Sequence, residues 1–379
     1  MSDNQNDNPH FANSTPLDGF GTQKQRFPSP QGTLVTRRMF VAYTAAAIAA
    51  LPQLAGCASR ESMSLKSSSI GEAEEPLAAS DSGAAPEDAG PPRFIARLAV
   101  IGDTHVTPSF EPAVIHTQAA FQAITQFNPT PDAIVINGDI TDHGLEEEYD
   151  LVTQLAEEAG LHFPDSFVPA MGNHEQRGAD GQNTPETYQE HRDVFLRRCG
   201  LQRLYYDTVI NGLHLIVLGP DADPSAWWSF RLSDEQLSWL DDLLERDDAQ
   251  GRRSFVILHQ PANDTVCYTH EGEVAHGSLE SSATLLQVIS KYPNAILMTG
   301  HSHSPNDYQR PDPEGPLFVA NSAIAYLRPD PHDGTGEGGF GMSRGLIVDV
   351  YSDRTEFISW DYVLGDEADP GRYSLAFSP

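Results

Sequence analysis

The chain is 379 residues long and carries 23 basic against 54 acidic side chains, a formal charge of −31. Such a length buries a substantial core, as one large domain or two small ones, and the composition is neither collagen-like nor that of a wholly disordered chain. So acidic a surface repels a phosphate backbone and argues against nucleic acid as the main partner, while three cysteines (Cys57, Cys199 and Cys267) argue against a disulfide scaffold or a thiolate metal cluster. Cys199 and Cys267 either pair in an oxidising compartment or stand as isolated thiols.

Read from the N-terminus, Thr36-Arg37-Arg38-Met39-Phe40-Val41 leads into an Ala-rich apolar stretch, Val41 to Leu51, and then Leu54-Ala55-Gly56-Cys57. The stretch is well short of the roughly 20 residues a membrane span needs, and Pro52 interrupts it. Residues 1–56 resemble a bacterial twin-arginine signal ending in a lipobox. That resemblance implies export after folding, cleavage before Cys57, and a lipid on Cys57 that anchors the chain to a bacterial membrane facing the periplasm or cell exterior. Cleavage there would remove four basic residues (Lys24, Arg26, Arg37, Arg38) and three acidic ones (Asp3, Asp7, Asp18), leaving the acidic balance in place. Residues 57–92, rich in Ser, Ala, Glu, Gly and Pro, carry no helical or strand period and read as a flexible tether.

From residue 93 to 365 strands and amphipathic helices alternate, so the fold class is α/β with stacked layers. Short buried strands are expected at Leu98–Ile101, Ala133–Ile136, Phe167–Met171, Phe255–Leu258 and Ala295–Met298, and helices at Glu111–Phe127, Leu145–Ala159, Pro185–Arg198, Ser233–Arg246 and Glu280–Lys291. After Gly300 the pattern turns to strands, Leu317–Ala320, Gly345–Tyr351 and Thr355–Tyr362, which are expected to supply a second sheet against the first. The polar tail, residues 366–379, reads as a loosely held end. Long loops at Gln176–Asn183, Asp221–Trp228 and Pro261–Ser278 either wall a site or are surface insertions. Trp227 and Trp228 either line a pocket or pack in the core.

Five histidine/carboxylate motifs punctuate this domain, each just past an apolar run: Gly102-Asp103-Thr104-His105, Gly138-Asp139, Gly172-Asn173-His174-Glu175, His259, and Gly300-His301-Ser302-His303. The C-terminal rim of an open α/β sheet is where such folds place their sites. Seven nitrogen and oxygen donors on one rim are more than one divalent ion takes from protein, but they suit two ions sharing a bridging carboxylate. Any one of these residues alone is more economically a helix cap or a hydrogen-bonded core side chain; the ordered set is not. The flanking glycines suggest backbone that must turn sharply beneath a ligand.

The ordered set resembles the calcineurin-like metallophosphoesterase superfamily, in particular its bacterial branch of cyclic-nucleotide and glycerophosphodiester phosphodiesterases. The segment Leu232-Ser233-Asp234-Glu235-Gln236-Leu237-Ser238-Trp239-Leu240 fits the same branch. The resemblance implies a layered α/β/β/α sandwich of two mixed sheets flanked by helices. It also implies that Asp103, His105 and His303 hold one ion, that Asn173, His259 and His301 hold a second, and that Asp139 bridges them. The donor set suits iron, manganese, zinc or cobalt better than calcium. A metal-bridging hydroxide would then attack phosphorus, with His174 protonating the leaving alkoxide. In Gly138-Asp139-Ile140-Thr141-Asp142-His143-Gly144, Asp142 occupies the place of the carboxylate that orients this histidine; Glu175 is a competitor for that role, or a helix cap or surface residue. His143 stands where phosphoprotein phosphatases carry a phosphate-binding arginine, which argues against a phosphoprotein substrate. The expected activity is phosphoester hydrolysis on a small substrate, with phosphodiesters preferred because no extra basic cluster awaits a dianionic monoester. Phosphate salvage by a phosphomonoesterase and a non-catalytic binding module are the alternatives.

Overall fold

The computed structural model describes residues 91–178, 184–225, 228–270, 279–328, 339 and 341–377. The expected signal, Cys57 and the tether as far as residue 90, along with Trp227, lie outside the described residues. Twelve strands and six helices follow one another as β1 (Phe94–Ile101), α1 (Glu111–Ile124), β2 (Ala133–Asn137), α2 (Glu146–Glu158), β3 (Phe167–Ala170), α3 (His174–Arg177), α4 (Pro185–Arg198), β4 (Tyr206–Ile210), β5 (Leu213–Val217), α5 (Asp234–Asp248), β6 (Ser254–Ile257), α6 (Ser282–Ile289), β7 (Ala295–Thr299), β8 (Asp307–Gln309), β9 (Leu317–Ala320), β10 (Arg344–Tyr351), β11 (Arg354–Asp361) and β12 (Asp366–Ala376) among those residues. Among them no helix is long and apolar enough to cross a membrane.

The strands form two six-stranded mixed sheets, ordered β12-β11-β10-β1-β2-β3 and β4-β5-β6-β7-β9-β8. The alternation of side chains along β1 shows how the layers arise. Leu98 and Val100 point into a core that also holds Leu215, Val217, Phe255, Ile257, Met298 and Val348, so this core lies between the sheets. Ala99 and Ile101 point the other way, onto Phe121 of α1, Tyr149 and Val152 of α2 and Phe195 of α4. On the far side Ile216, Val256 and Leu297 receive Leu237, Leu240 and Leu244 of α5 and Leu285 of α6. Strands covered on both faces read as unbroken apolar runs, and β2, β3, β5, β6 and β7 are buried along their whole lengths. The expected α/β/β/α sandwich is the fold.

Two expectations need correction. Of the strands expected to supply the second sheet only Leu317–Ala320 (β9) joins it: β10 returns beside β1, antiparallel, with β11 next to it, and β4 to β9 build the opposing sheet. The polar tail is not loose, because β12 pairs antiparallel with β11 from Asp366 to Ala376. As an edge strand it buries only Ala368 and Leu375, so its sequence carries almost no apolar signal. Of the two alternatives for Cys199 and Cys267, the structure has them in no disulfide, with Cys199 buried in the helical layer.

Parallel registers bring the motif loops level. Ile101 sits opposite Ile136 and Asn137 opposite Ala170 in one sheet, and Ile257 opposite Met298 in the other. The loops then continue the pairing beyond the strands: Asp103 N donates to Gly138 O (3.0 Å), His105 N to Asp139 O (2.9 Å), and Gly300 N to His259 O (2.9 Å).

Candidate metal centre

Five residues of the expected ligand set adopt left-handed backbone: Asp103 (φ 51°), His105 (43°), Asp139 (47°), His301 (65°) and His303 (52°). Non-glycine residues there cost on the order of 1–3 kcal/mol each, and such backbone persists where the fold over-determines it, typically at functional sites. The adjoining glycines explain the crowding. A Cβ on Gly138 would lie 2.5 Å from the His259 ring, one on Gly172 2.1 Å from Asp139 N, and one on Gly300 2.6 Å from Asp103 Oδ2. Only Gly138 among the four motif glycines is itself left-handed (φ 76°); the others are required for space rather than for a turn.

The side chains converge. Asp103, His105 and His303 bring donor atoms within 4.8 Å of one another; so do Asp139, His259 and His301, and so do His105, Asp139 and His174. Asp139 Oδ2 lies 3.2 Å from His259 Nε2 and 3.8 Å from His105 Nε2, placing this carboxylate between the first two groups. Backbone groups hold the carboxylates: His301 N donates to Asp103 (3.0 Å to Oδ1) and His174 N to Asp139 Oδ1 (2.8 Å).

Tautomers follow from the partners, because a carbonyl only accepts. His259 Nδ1 faces Asn137 O (2.8 Å) and His303 Nδ1 faces Tyr326 O (2.9 Å), so both rings carry a proton on Nδ1 and turn Nε2 to the centre. His105 Nε2 meets His303 Nε2 at 3.0 Å, two donor atoms aimed at one place. His259 Nε2 and Asn173 Oδ1 are buried and make no hydrogen bond; the 3.2 Å approach of Asp139 to His259 falls outside hydrogen-bond geometry. Two orphaned donor atoms, each costing roughly 1–3 kcal/mol if left unmade, sit where two ligand positions were expected, so the residues fit a cation.

The electrostatics agree. Burial would raise the Asp139 carboxyl, but His259 and His174 outweigh it and hold it well below the usual range; burial likewise opposes His303 at Asp103, where the net effect is a lowering. Burial, helped by His174, pushes the His105 imidazole down to about 4, which keeps its lone pair available. His259 goes the other way, up to about 9, because Asp139 and Asp103 overcome its burial. The carboxylate pair thus draws positive charge to this spot.

His174 differs from the residues expected as ligands. Its side chain is 17% exposed where Asp139 is 2%, and its Nδ1 faces Asp142 O (3.0 Å) and Asp142 Oδ1 (2.9 Å), which leaves Nε2 turned to the centre, 3.9 Å from Asp139 Oδ2. Asp142 therefore sits where an orienting carboxylate belongs. Glu175 is neither orienter nor surface residue: fully buried, it accepts from Thr141 N (2.9 Å), Thr141 Oγ1 (3.1 Å) and Gly172 N (2.7 Å), tying the loops after β2 and β3 together. His143 stays outside the cluster of donors, with Nδ1 on Glu148 Oε1 (2.9 Å). Sequence spacing gave no hint of the Tyr326 carbonyl, of Glu148, or of Arg177, which lies 3.3 Å from Asp142 Oδ1. Asn321, whose Oδ1 accepts from Asn137 Nδ2 (2.8 Å) beneath Gly102, was equally silent.

Residues 96–305 match the model of the calcineurin-like phosphoesterase family. The chain belongs to that family. Its curated relatives include a probable glycerophosphodiester phosphodiesterase of Arcobacter nitrofigilis, 26% identical over 168 residues (42% of this chain, 55% of the relative), and a glycerophosphodiester phosphodiesterase of Enterobacter lignolyticus, 25% identical over 189 residues (46% and 56%). The chain thus spans about half the length of the curated relatives it matches. A dimetal phosphatase from Danio rerio shares the fold with a TM-score of 0.56 at 13% identity, covering 75% of this chain and all of that one. A purple acid phosphatase from yellow lupin seeds does so at 0.51 and 15%, covering 74% and 53%.

Proposed function

We propose that this calcineurin-like phosphoesterase hydrolyses phosphate esters with two metal ions held by Asp103, His105, Asp139, Asn173, His259, His301 and His303, and that it prefers phosphodiesters. The observation that carries the reading is a single buried carboxylate, Asp139, standing between two groups of convergent donors, with a non-ligand histidine beside it. Two bound ions would supply a water acidic enough to attack phosphorus near neutral pH. Iron, manganese, zinc and cobalt suit the mixture of imidazole, amide and carboxylate.

The chain's own contribution beyond metal holding falls to His174. With Nδ1–H committed to Asp142, the ring points Nε2 into the centre, where a proton can pass to the departing alkoxide. Burial would lower this imidazole, but Asp139 and the hydrogen bond to Asp142 raise it above its ordinary value, favouring the protonated ring. The preference for diesters is supported by the matched relatives' names and by how Arg177, beside Asp142, is already engaged. Export as a lipoprotein through Cys57 rests on the sequence alone.

Assay of the full chain with each of the four metals on paired aryl phosphate mono- and diesters tests the proposal. Hydrolysis of diesters above monoesters is expected. Monoesters cleaved at least as well would overturn the substrate preference, and inactivity with every metal would overturn the enzyme.

A further inference from the structure

One polar network beside the centre is used neither to hold metal nor to move the proton. Arg177, at the end of α3, folds back on Asp142: Nε donates to Asp142 O at 3.2 Å, and Nη2 lies 3.3 Å from Oδ1. The same Nη2 is 3.2 Å from His143 Nε2. His143 can accept there because its Nδ1 faces the Glu148 carboxylate, which only accepts, at 2.9 Å. Glu148 also takes the His143 backbone N–H (2.8 Å) and is buried in the first turn of α2. A line of contacts therefore runs from a fixed helix end through His143 and Arg177 to Asp142.

Asp142 needs that restraint. Two histidines share one oxygen of its carboxylate, His174 Nδ1 at 2.9 Å and His105 Nδ1 at 3.4 Å from Oδ1, while the His143 Nε2 lone pair, which cannot donate, lies 3.4 Å from the other. The side chain is 21% exposed, so packing alone does not fix its rotation. A guanidinium that reaches both His143 Nε2 and Asp142 Oδ1 supplies the donor these two facing acceptors lack, and its grip on the Asp142 carbonyl pins the backbone from which the carboxylate hangs.

We propose that Arg177 is a positioning residue: braced by His143 and Glu148, it holds Asp142 against His174 Nδ1 and so keeps His174 Nε2 aimed at the leaving oxygen. This rests on the reading of His174 as the proton donor of a phosphoesterase. The guanidinium thus reaches the site from α3, one motif later than the position His143 occupies.

Arg177→Met and Arg177→Lys, compared with the wild-type full chain, test it through metal content, steady-state kinetics on diesters with good and poor leaving groups, and ¹⁵N-histidine spectra of the zinc-loaded protein. Arg177→Met should keep its metal and its KM, lose about tenfold in kcat on the poor leaving group and little on the good one, and show an altered His174 Nδ1–H signal; Arg177→Lys should recover part of each. An unchanged kcat, a raised KM with kcat intact, equal losses on both leaving groups, or an unaltered His174 signal would overturn the proposal. Should the wild type cleave no ester with any metal, the phosphoesterase reading fails by itself, and the His174 signal still decides whether Arg177 holds the pair.

Discussion

Two histidine–aspartate pairs occupy opposite ends of the sheets, and they are built from the same parts. At the N-terminal end of β5, His214 Nδ1 meets Asp247 Oδ2 at 2.5 Å while its Nε2 meets Asp207 Oδ2 at 3.2 Å; Ser254 Oγ donates to the same Asp247 oxygen at 2.6 Å, and Arg252 Nη2 lies 2.7 Å from the other. At the C-terminal rim, His259 leaves Nε2 without a hydrogen bond and His174 turns Nε2 toward Asp139. None of the residues in the His214 group has left-handed backbone, whereas Asp103, His105, Asp139, His301 and His303 all do. Burial and pairing are therefore common to both ends. What separates a site from a structural ion pair is donor atoms left open toward one point by a backbone held in costly geometry.

Breaking the rim should cost function and spare the scaffold. The largest effect belongs to Asp139→Asn, which removes the shared charge: metal affinity should fall by at least about 100-fold for both ions, read by metal analysis after dialysis. Retained stoichiometry of two would contradict a bridging role. His174→Ala should keep both ions and lose roughly 10²–10⁴ in kcat, most on poor leaving groups. Equal losses across leaving groups would remove the proton-donor assignment.

The opposite end should respond inversely. Asp247→Asn should leave kcat unchanged and lower stability by roughly 2–3 kcal/mol, because a buried charge-assisted hydrogen bond is lost. The pH dependence has a definite sign. The hydrogen bond to Asp247 raises the His214 imidazole above 6.5, so that contribution is complete below this pH and fades as pH rises through the folded value. Burial would raise Asp247, but the hydrogen bonds from His214 and Ser254 outweigh it and place the carboxyl below 3.8; that contribution fades as pH falls through the lower value. The gap between wild type and variant in urea melts should be widest between about pH 4 and 6.5 and narrower at pH 9. A constant gap would contradict the pairing. Smallest of all, Leu375→Ala on β12 should cost about 2 kcal/mol, visible as a lower Tm, whereas a loose tail would cost nothing.

The rim was legible in the sequence because its packing forces a spelling: polar donors at strand ends, glycine wherever a neighbouring group leaves no room for a Cβ. The buried strands β2, β3, β6 and β7 were legible for a related reason, being apolar on both faces. The exposed edge strands β4 and β12 were not. In β4 only alternate residues are half-buried and in β12 only two are buried, so neither stands out as an apolar run. A usable signal did exist for β4 and β5, since Asn211 and Gly212 are both left-handed (φ 50° and 86°) and form the two-residue turn that Asn-Gly favours. Sheet order was beyond reach, because nothing in the spelling of β10 to β12 distinguishes joining the first sheet from founding a second. The supporting groups were hidden for another reason: Tyr326 acts through its carbonyl, which every residue has, and Arg177 through a contact set by tertiary folding alone.

The most direct test of the central claim is a crystal of the full chain grown with manganese and measured for anomalous scattering. Two peaks are expected, one among Asp103, His105 and His303, the other among Asn173, His259 and His301, with Asp139 touching both. A single peak, or none within reach of Asp139, would contradict it.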